Sequence, residues 1–312
     1  MKERLPLVTI MGPTGVGKTD LALSLSREIE SEIISVDSVQ VYKQLEIGSG
    51  KPSKKTLLKY PHKLLSLIEP WESYSTALFV IDSTKEIDLC HQSKKLPILV
   101  GGTMLYFRSL LNGISRMPQA DQTIRSEIVK EAKKKGWEHL HGRLSKIDPE
   151  SALRIHSNDR QRIQRALEVY LISSKTMSEW RKGNKGSELL TSHDVLQFAI
   201  EPENREILRR DIKNRFLKML EEGLIEEVER LLEVREMDSN KTSMRSVGYR
   251  QVCDYLAGRI SYEEMVIRAI NASRQLAKRQ MTWLRGWKNL NWITQDNEAS
   301  VNLIKKKLKI LE

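Results

Sequence analysis

LPLVTIMGPTGVGKT, residues 5–19, joins a seven-residue apolar run to a Gly-rich octet ending in Lys18 and Thr19. A continuous apolar run of this length, bounded by glycine, reads as a strand buried on both faces of a parallel sheet. Gly12-x-x-x-x-Gly17-Lys18-Thr19 is the P-loop pattern, and here it lies between that strand and a helix over about 18–30 with Leu21, Leu25 and Ile29 on one face. Gly12, Pro13, Thr14, Gly15, Val16, Gly17, Lys18 and Thr19 are therefore expected to bind phosphate. Their backbone N–H groups turn inward at a helix N-terminus, where the partial positive charge favours an anion. Lys18 would neutralise the outer oxygens, and the Thr19 hydroxyl would hold Mg²⁺.

The next segments repeat the strand-then-helix theme. EIISVDS (32–38) and KLLSLIE (63–69) read as strands, 75–92 as a helix, and LPILVGGT (96–103) as another buried strand that opens a helix at TMLYFRSLLNG. Strands alternating with helices predict an α/β fold: a P-loop NTPase-like parallel sheet with flanking helices, its ligands at the carboxyl ends of the strands. From Met117-Pro118 the period changes to successive helices at about 121–135, 137–146 and 159–173, with no strand until VLQFAI at 195–200. The expected organisation is a P-loop core begun by 1–116, an inserted all-helical domain over 117–190, and completion of the core by 191–312. That last part is mainly helical, with a long amphipathic helix over 261–285, a short NWIT strand and a Lys-rich terminal helix.

The chain of 312 residues is 39% hydrophobic and 30% charged, which suits a globular protein with one sizeable α/β core and an appended piece. The apolar run at Leu5 is too short for a membrane span or a signal-peptide core, so no membrane association and a cytoplasmic address are expected. Cys90 and Cys253 read as buried reduced thiols, and neither they nor the His139/His141 pair has zinc-ligand spacing. The net charge of +11 is uneven: 116–190 carries +6, 241–290 carries +7, and 201–240 carries −4. Two separate basic segments fit a protein that grips a polyanion, or equally a set of solvated helix faces.

The P-loop does not stand in the setting of an ordinary nucleotide hydrolase. A second Asp at the end of a neighbouring strand usually completes the Mg²⁺ shell, but LPILV ends in Gly101-Gly102-Thr103, and no Asn-Lys-x-Asp guanine-reading motif occurs. The acid stands elsewhere. Asp37 comes directly after the apolar run 33–36, so it projects from a strand end toward the phosphate loop, where it could bind Mg²⁺, cap a helix or act as a general base. The adjoining Ser38-Val39-Gln40 adds a side chain able to donate and accept at a base edge.

Taken in order, GPTGVGKT, SVDSVQVY, IGSGKP, LVGGTMLYF, NDRQRIQRALEVY, SVGYRQ and RQLAKRQMTWLR resemble the bacterial form of the tRNA dimethylallyltransferase family over residues 12–285. The resemblance implies transfer of the dimethylallyl group from dimethylallyl diphosphate to N6 of the adenosine just 3′ of the anticodon, with release of diphosphate. On that reading the P-loop anchors the diphosphate, with magnesium as cofactor. Asp37 takes the proton of the exocyclic amine, and Thr103 lies near the reacting centre. Arg215, in NRFLKML, matches an Arg that approaches the diphosphate, though Arg209 and Arg210 lie close in sequence.

The same resemblance assigns contacts with the tRNA anticodon stem-loop. They fall to Asp37, Ser38, Val39, Gln40 and Thr103, to Arg125, and to the QRIQR element Gln161, Ile163 and Gln164 with Arg162 and Arg165. Arg245, Ser246, Val247, Gly248, Tyr249 and Arg250 pair guanidiniums with a ring suited to stacking, and Lys278, Arg279 and Arg285 lie on one long helix. An adenosine stacked in a loop must be flipped out to meet an acid in a cleft, so a grip on both sides of the loop is expected, by a protein acting as a monomer. Gly-Val in the P-loop and IGSGKP depart from the commoner family wording without removing a functional group.

Three other readings compete. A small-molecule P-loop kinase shares the strand, loop and sheet but leaves Asp37-Ser-x-Gln and the basic segments unexplained. A free-nucleotide (AMP) isopentenyltransferase needs no basic helical insertion. An RNA-binding protein with a relic P-loop has no use for Lys18, Thr19 and Asp37 together.

Overall fold

The computed structural model describes residues 4–115, 117–183, 186–187 and 189–309. Six strands form one sheet, all parallel: β1 (Leu5–Met11), β2 (Ser31–Val36), β3 (His62–Lys63), β4 (Leu96–Gly101), β5 (His193–Ile200) and β6 (Asn291–Ile293), in the order β3-β2-β4-β1-β5-β6. In chain order the helices are α1 (Lys18–Glu28), α2 (Lys54–Lys59), α3 (Thr76–Gln92), α4 (Met104–Asn112), α5 (Gln122–Lys135), α6 (Trp137–Ile147), α7 (Pro149–Arg154) and α8 (Arg160–Ser173). They continue as α9 (Met177–Lys182), α10 (Leu189–Ser192), α11 (Arg205–Glu221), α12 (Leu224–Leu232), α13 (Tyr249–Leu256), α14 (Tyr262–Arg285) and α15 (Asn297–Leu308).

The chain divides into two compact units, residues 1–111 with 188–312, and residues 112–187. In the first, alternate residues of each strand go to opposite layers, as the two-residue period of a strand requires. Val8, Ile10, Ile33, Ile98, Val100, Phe198 and Ile200 pack against Leu21 and Leu25 of α1 and Val301 and Ile304 of α15. Leu7, Met11, Ile34, Val36, Leu99 and Ala199 pack instead with Phe79 and Ile87 of α3, Phe107 and Leu110 of α4, and Leu284 of α14. A sheet covered on both faces is what near-continuous apolar strands demand. A third cluster joins Tyr42 and Leu45 to Phe216 of α11, Leu224 and Val228 of α12, Tyr249 of α13 and Met265 of α14.

The third strand is shorter than the sequence suggests. KLLSLIE yields only His62–Lys63, because Leu64 (φ 61°) and Ser66 (φ 52°) adopt left-handed backbone that breaks the ladder. The amides of Ser66, Leu67 and Ile68 then bond to carbonyls of Gln40 and Val41, so the run pairs with the segment after β2.

The helical unit is built around α5, α6 and α8, with Ile128, Leu140, Leu144, Ile163 and Leu167 in its core. A buried acid on α8, Glu168, has no side-chain exposure and accepts bonds from Arg125 (2.8 Å), Arg165 (2.7 Å) and the amide of Asp121 (2.9 Å). Burial opposes its charge, but the two guanidiniums and the amide outweigh that and hold the carboxyl below its ordinary value. Glu168→Ala leaves both arginines without their shared partner and is expected to destabilise the unit by about 2–3 kcal/mol, a value reduced because the arginines are themselves part-exposed. Thermal denaturation followed by circular dichroism reads this directly; a midpoint equal to the parent's contradicts it.

Candidate active site

The P-loop leaves β1 and turns at Gly17, whose left-handed backbone (φ 88°) makes it the N-cap of α1. The amides of Gly15, Val16 and Gly17 have no hydrogen-bond partner among the described residues, and the first-turn amides of α1 have no carbonyl one turn earlier to bond. Lys18 Nζ donates to the Pro13 carbonyl at 2.7 Å, folding over the loop. The Thr19 hydroxyl has no partner among the described residues and faces the same space.

Asp37 stands one residue beyond β2. Its Oδ1 accepts from the amides of Val39 (2.8 Å) and Gln40 (3.3 Å), an Asx turn that fixes the carboxylate and leaves Oδ2 uncommitted. Thr103 begins the turn into α4; its Oγ1 accepts from the amide of Ser38 at 3.1 Å, tying β2's end to β4's. Arg215 comes from α11 and donates to Thr14 Oγ1 at 3.2 Å. Its guanidinium lies against Gly50, where any Cβ would collide with it. Arg209 and Arg210 instead pair with Glu206 and Asp211 on the exposed face of α11, so the helix itself selects Arg215.

These residues line one cavity of about 180 Å³: Thr14, Lys18, Thr19, Asp37, Gln40 and Arg215 supply its polar wall, and Val39, Ile212, Phe216, Met219, Val247 and Leu276 its apolar one. A second cavity, about 280 Å³, shares Asp37, Val39, Gly102 and Leu276 with the first and adds Ser38, Thr103, Arg279 and Trp283. Asp37 therefore borders both. A third, about 520 Å³, opens on the outer side of Gly15–Thr19 and Arg215.

Two cations share the first cavity with a single acid, an excess of positive charge that suits an anion. Burial, then the neighbouring Arg215, lower Lys18 to about 7, while Asp37 partly offsets them. Burial pushes Asp37 above the ordinary carboxylate range against the pull of the Val39 and Gln40 amides, Lys18 and Arg215. Burial also lowers Arg215. A bound diphosphate would restore the Lys18 proton, since a neighbouring anion favours the ammonium form. With its value lowered to about 7, Lys18 is expected to be mostly neutral in the free protein at pH 8 and charged beside diphosphate, so binding should take up a proton and affinity should fall as pH rises through about 7. Titration calorimetry with inorganic diphosphate in buffers of different ionisation enthalpy measures this uptake. The Lys18→Arg variant, whose charge does not titrate, subtracts the diphosphate's own protonation; equal uptake by both proteins contradicts a titrating Lys18.

The remaining site residues expected from sequence take different places in the fold. Gly12 and Pro13 shape the loop from behind. Gln40 is committed within the fold: it accepts from Ser35 Oγ and donates to the carbonyls of Ser49 and Gly50, so it braces the cavity wall and does not present its amide edge. Tyr249, expected to stack, is fully buried with its hydroxyl donating to Glu227 Oε1 at 2.6 Å; its ring closes the third core cluster because Gly48 and Leu224 pack on it. Gly248 and Val247 reach the cavity wall, Ser246 bonds the Ser243 carbonyl, and Arg245 and Arg250 are exposed. On α14, Lys278, Arg279 and Arg285 are exposed, and Arg279 lines the second cavity.

In the helical unit, Ile163 is core, Gln164 donates to the Arg125 carbonyl, and Arg125 and Arg165 serve Glu168. Gln161 and Arg162 are exposed at the start of α8. Trp283 is 37% exposed beneath the Arg108 guanidinium. Sequence reasoning missed Gln280, Phe216, Met219 and Leu276 as cavity residues. Leu276 and Gln280 lie inside the RQLAKRQMTWLR motif, and Phe216 and Met219 inside NRFLKML beside Arg215, so the signal for all four was their place in a motif.

Cys90 and Cys253 are buried and unpaired, and no group of three or more His, Cys, Asp and Glu able to hold a metal occurs among the described residues. No described helix is long and apolar enough to cross a membrane.

Known proteins resemble this chain in sequence and fold. Residues 40–287 match the IPP transferase family and residues 5–65 the isopentenyl transferase family. A tRNA isopentenylpyrophosphate transferase from Bacillus halodurans is similar in structure, with 33% identity and a TM-score of 0.71 over 99% of this chain and 98% of its own. A tRNA delta(2)-isopentenylpyrophosphate transferase from Staphylococcus epidermidis gives 32% identity and 0.71 over 99% and 100%. A eukaryotic dimethylallyltransferase acting on tRNA gives 25% identity and 0.77 over 93% of this chain and 74% of its own.

Proposed function

The chain belongs to the IPP transferase family, and from that premise we propose that it moves the dimethylallyl group of dimethylallyl diphosphate to N6 of the adenosine 3′ of the anticodon in tRNA, releasing diphosphate. The observation that carries this reading is the placement of Asp37 on the wall shared by two cavities, one floored by the P-loop and one open beside Thr103. The donor's diphosphate lies on the loop amides with Lys18 and Arg215, and its five carbons lie against Val39, Phe216, Val247 and Leu276. The acceptor base enters past Thr103.

The exocyclic nitrogen is a weak nucleophile because its lone pair is delocalised into the purine. Asp37 Oδ2 takes its proton as the N–C bond forms, and the C–O bond breaks with its electron pair going to diphosphate. Negative charge then grows on the leaving oxygen, where Lys18, Arg215 and the loop dipoles stabilise the transition state more than the ground state. A buried Asp held by two amides is suited to this, because its carboxylate is aimed before substrate arrives.

Thr19 offers one hard oxygen on the donor cavity wall, which fits a cation that keeps most of its waters and takes the rest of its ligands from substrate, as Mg²⁺ does. Bound there, Mg²⁺ would neutralise diphosphate oxygens. A cytoplasmic address accords with the tRNA substrate and the two unpaired thiols.

Exposed Arg160 and Arg162 at the start of α8, with Arg245, Arg250, Lys278 and Arg285 on the other unit, supply the phosphate contacts of the anticodon stem-loop. Because Arg165 is committed to Glu168, the test of the helical unit's share is Arg160→Ala with Arg162→Ala. Affinity for tRNA should fall and the slope of log K against log salt should flatten by about 2. Unchanged affinity and slope remove these residues from the interface. The assignment as a whole is tested with labelled dimethylallyl diphosphate, Mg²⁺ and either unmodified tRNA or AMP. Label is expected in tRNA alone; label in AMP alone contradicts it.

A further inference from the structure

Gln280 is 7% exposed, is polar, and lines both cavities that border Asp37. Its side-chain oxygen accepts the amide of Thr14 in the P-loop at 2.9 Å, and its side-chain nitrogen donates to the carbonyl of Gly102 at 2.8 Å. One amide group thus bridges the loop that holds the leaving diphosphate and the Gly102-Thr103 turn beside which the acceptor base enters. We propose that Gln280 is a positioning residue for the transfer, fixing the P-loop against the Gly102-Thr103 turn so that donor and acceptor meet in line. The inference rests on the prenyl-transfer reading above.

Three observations support the assignment. Both partners of Gln280 are backbone groups, so the bridge sets main-chain positions on two strands' ends and not merely a side-chain rotamer. Glycine at 102 is what admits it, since a Cβ there would collide with Gln280 Nε2. The bridge also springs from a rigid support, because Ala277 and Leu284 on either side of it in α14 are buried. A neutral amide suits the place chemically. A carboxylate would repel the diphosphate, and a cation would compete with Lys18 and Arg215 for Asp37.

Displacement at carbon needs the attacking nitrogen, the carbon and the leaving oxygen in one line, and the two substrates are held by different halves of the site. An error of about 1 Å between such halves costs on the order of 100-fold in rate. Gln280→Met keeps the length of the side chain and removes both bonds; Gly102→Ala disturbs the same bridge from its other end. Each is expected to lower kcat about 100-fold. KM for tRNA and for dimethylallyl diphosphate should stay within about threefold of the parent, because neither substrate loses a contact.

The parent enzyme is assayed alongside. If it transfers no label to tRNA, the prenyl-transfer reading fails; if it transfers and the variants keep kcat within about threefold, only the positioning role fails. Loss confined to KM for tRNA would make Gln280 an RNA contact and overturn the proposal. Should one variant not fold, the other decides. Failure of both to fold would assign the bridge to stability alone and likewise overturn it.

Discussion

Asp37→Ala is expected to lower the single-turnover rate of prenyl transfer by about 10²–10⁴-fold while leaving tRNA affinity within a fewfold of the parent. The asymmetry follows from geometry. Asp37 Oδ1 is occupied by the amides of Val39 and Gln40, which leaves Oδ2 to take the proton on the reading proposed, so its loss removes the proton acceptor without removing a cation that grips RNA. Two further readouts separate a base from a scaffold. Asp37→Asn keeps the turn-forming oxygen yet cannot take a proton, so it should be as inactive as Asp37→Ala. In the parent, the rate should fall as pH drops through the Asp37 value, which burial places above the ordinary carboxylate range. If Asp37→Asn retains most of the rate, Asp37 acts by shape and the proposed proton transfer is wrong.

Lys18→Ala should be nearly as damaging but in a different way. The Lys18 ammonium and the Arg215 guanidinium are the side-chain cations on the polar wall of the donor cavity, and charge builds on the diphosphate as the C–O bond breaks. Removing one such group costs on the order of 10²–10³-fold in rate. Diphosphate affinity should also fall, because Lys18 neutralises the ground state as well, and Lys18's share of the parent's proton uptake, the excess over Lys18→Arg, should disappear. Rapid-quench transfer combined with calorimetry of diphosphate binding measures both effects. A Lys18→Ala protein that still binds diphosphate with the parent's affinity and proton uptake contradicts the anchoring role.

How far the sequence led depended on whether position along the chain was enough to specify position in space. The strand, P-loop and α1 are legible because the chemistry fixes their spacing: Gly12, Gly17, Lys18 and Thr19 have meaning only between a buried strand and a helix. Asp37 and Thr103 are legible for a related reason, since each stands at the carboxyl end of an apolar run that must be a central strand. KLLSLIE was not legible as a turn. Its apolar composition is that of a strand, and only the left-handed backbone at Leu64 and Ser66, imposed by pairing with Gln40 and Val41, ends it after two residues.

Charges and rings were harder to read, because a one-dimensional pattern does not reveal a buried partner. Arg125 and Arg165, expected to contact tRNA, also share a buried acid, Glu168, that no sequence pattern places between them. Tyr249 between two arginine-bearing segments looks like a stacking platform until Glu227 and Gly48 enclose it. Arg215 could not be told from Arg209 and Arg210 by sequence, and the turn of α11 resolves them. Gln280 contributes through two backbone bonds to residues 266 and 178 positions away, a relation with no local signature at all.

The P-loop of this protein, on the reading proposed, anchors a leaving diphosphate and not the γ-phosphate of ATP. A single-turnover reaction with tRNA, Mg²⁺ and equal concentrations of dimethylallyl diphosphate and ATP, with products quantified together, tests that claim most directly. The expected result is one diphosphate released for each N6-modified adenosine formed next to the anticodon, with ATP untouched. ADP or orthophosphate appearing without modified adenosine would contradict it.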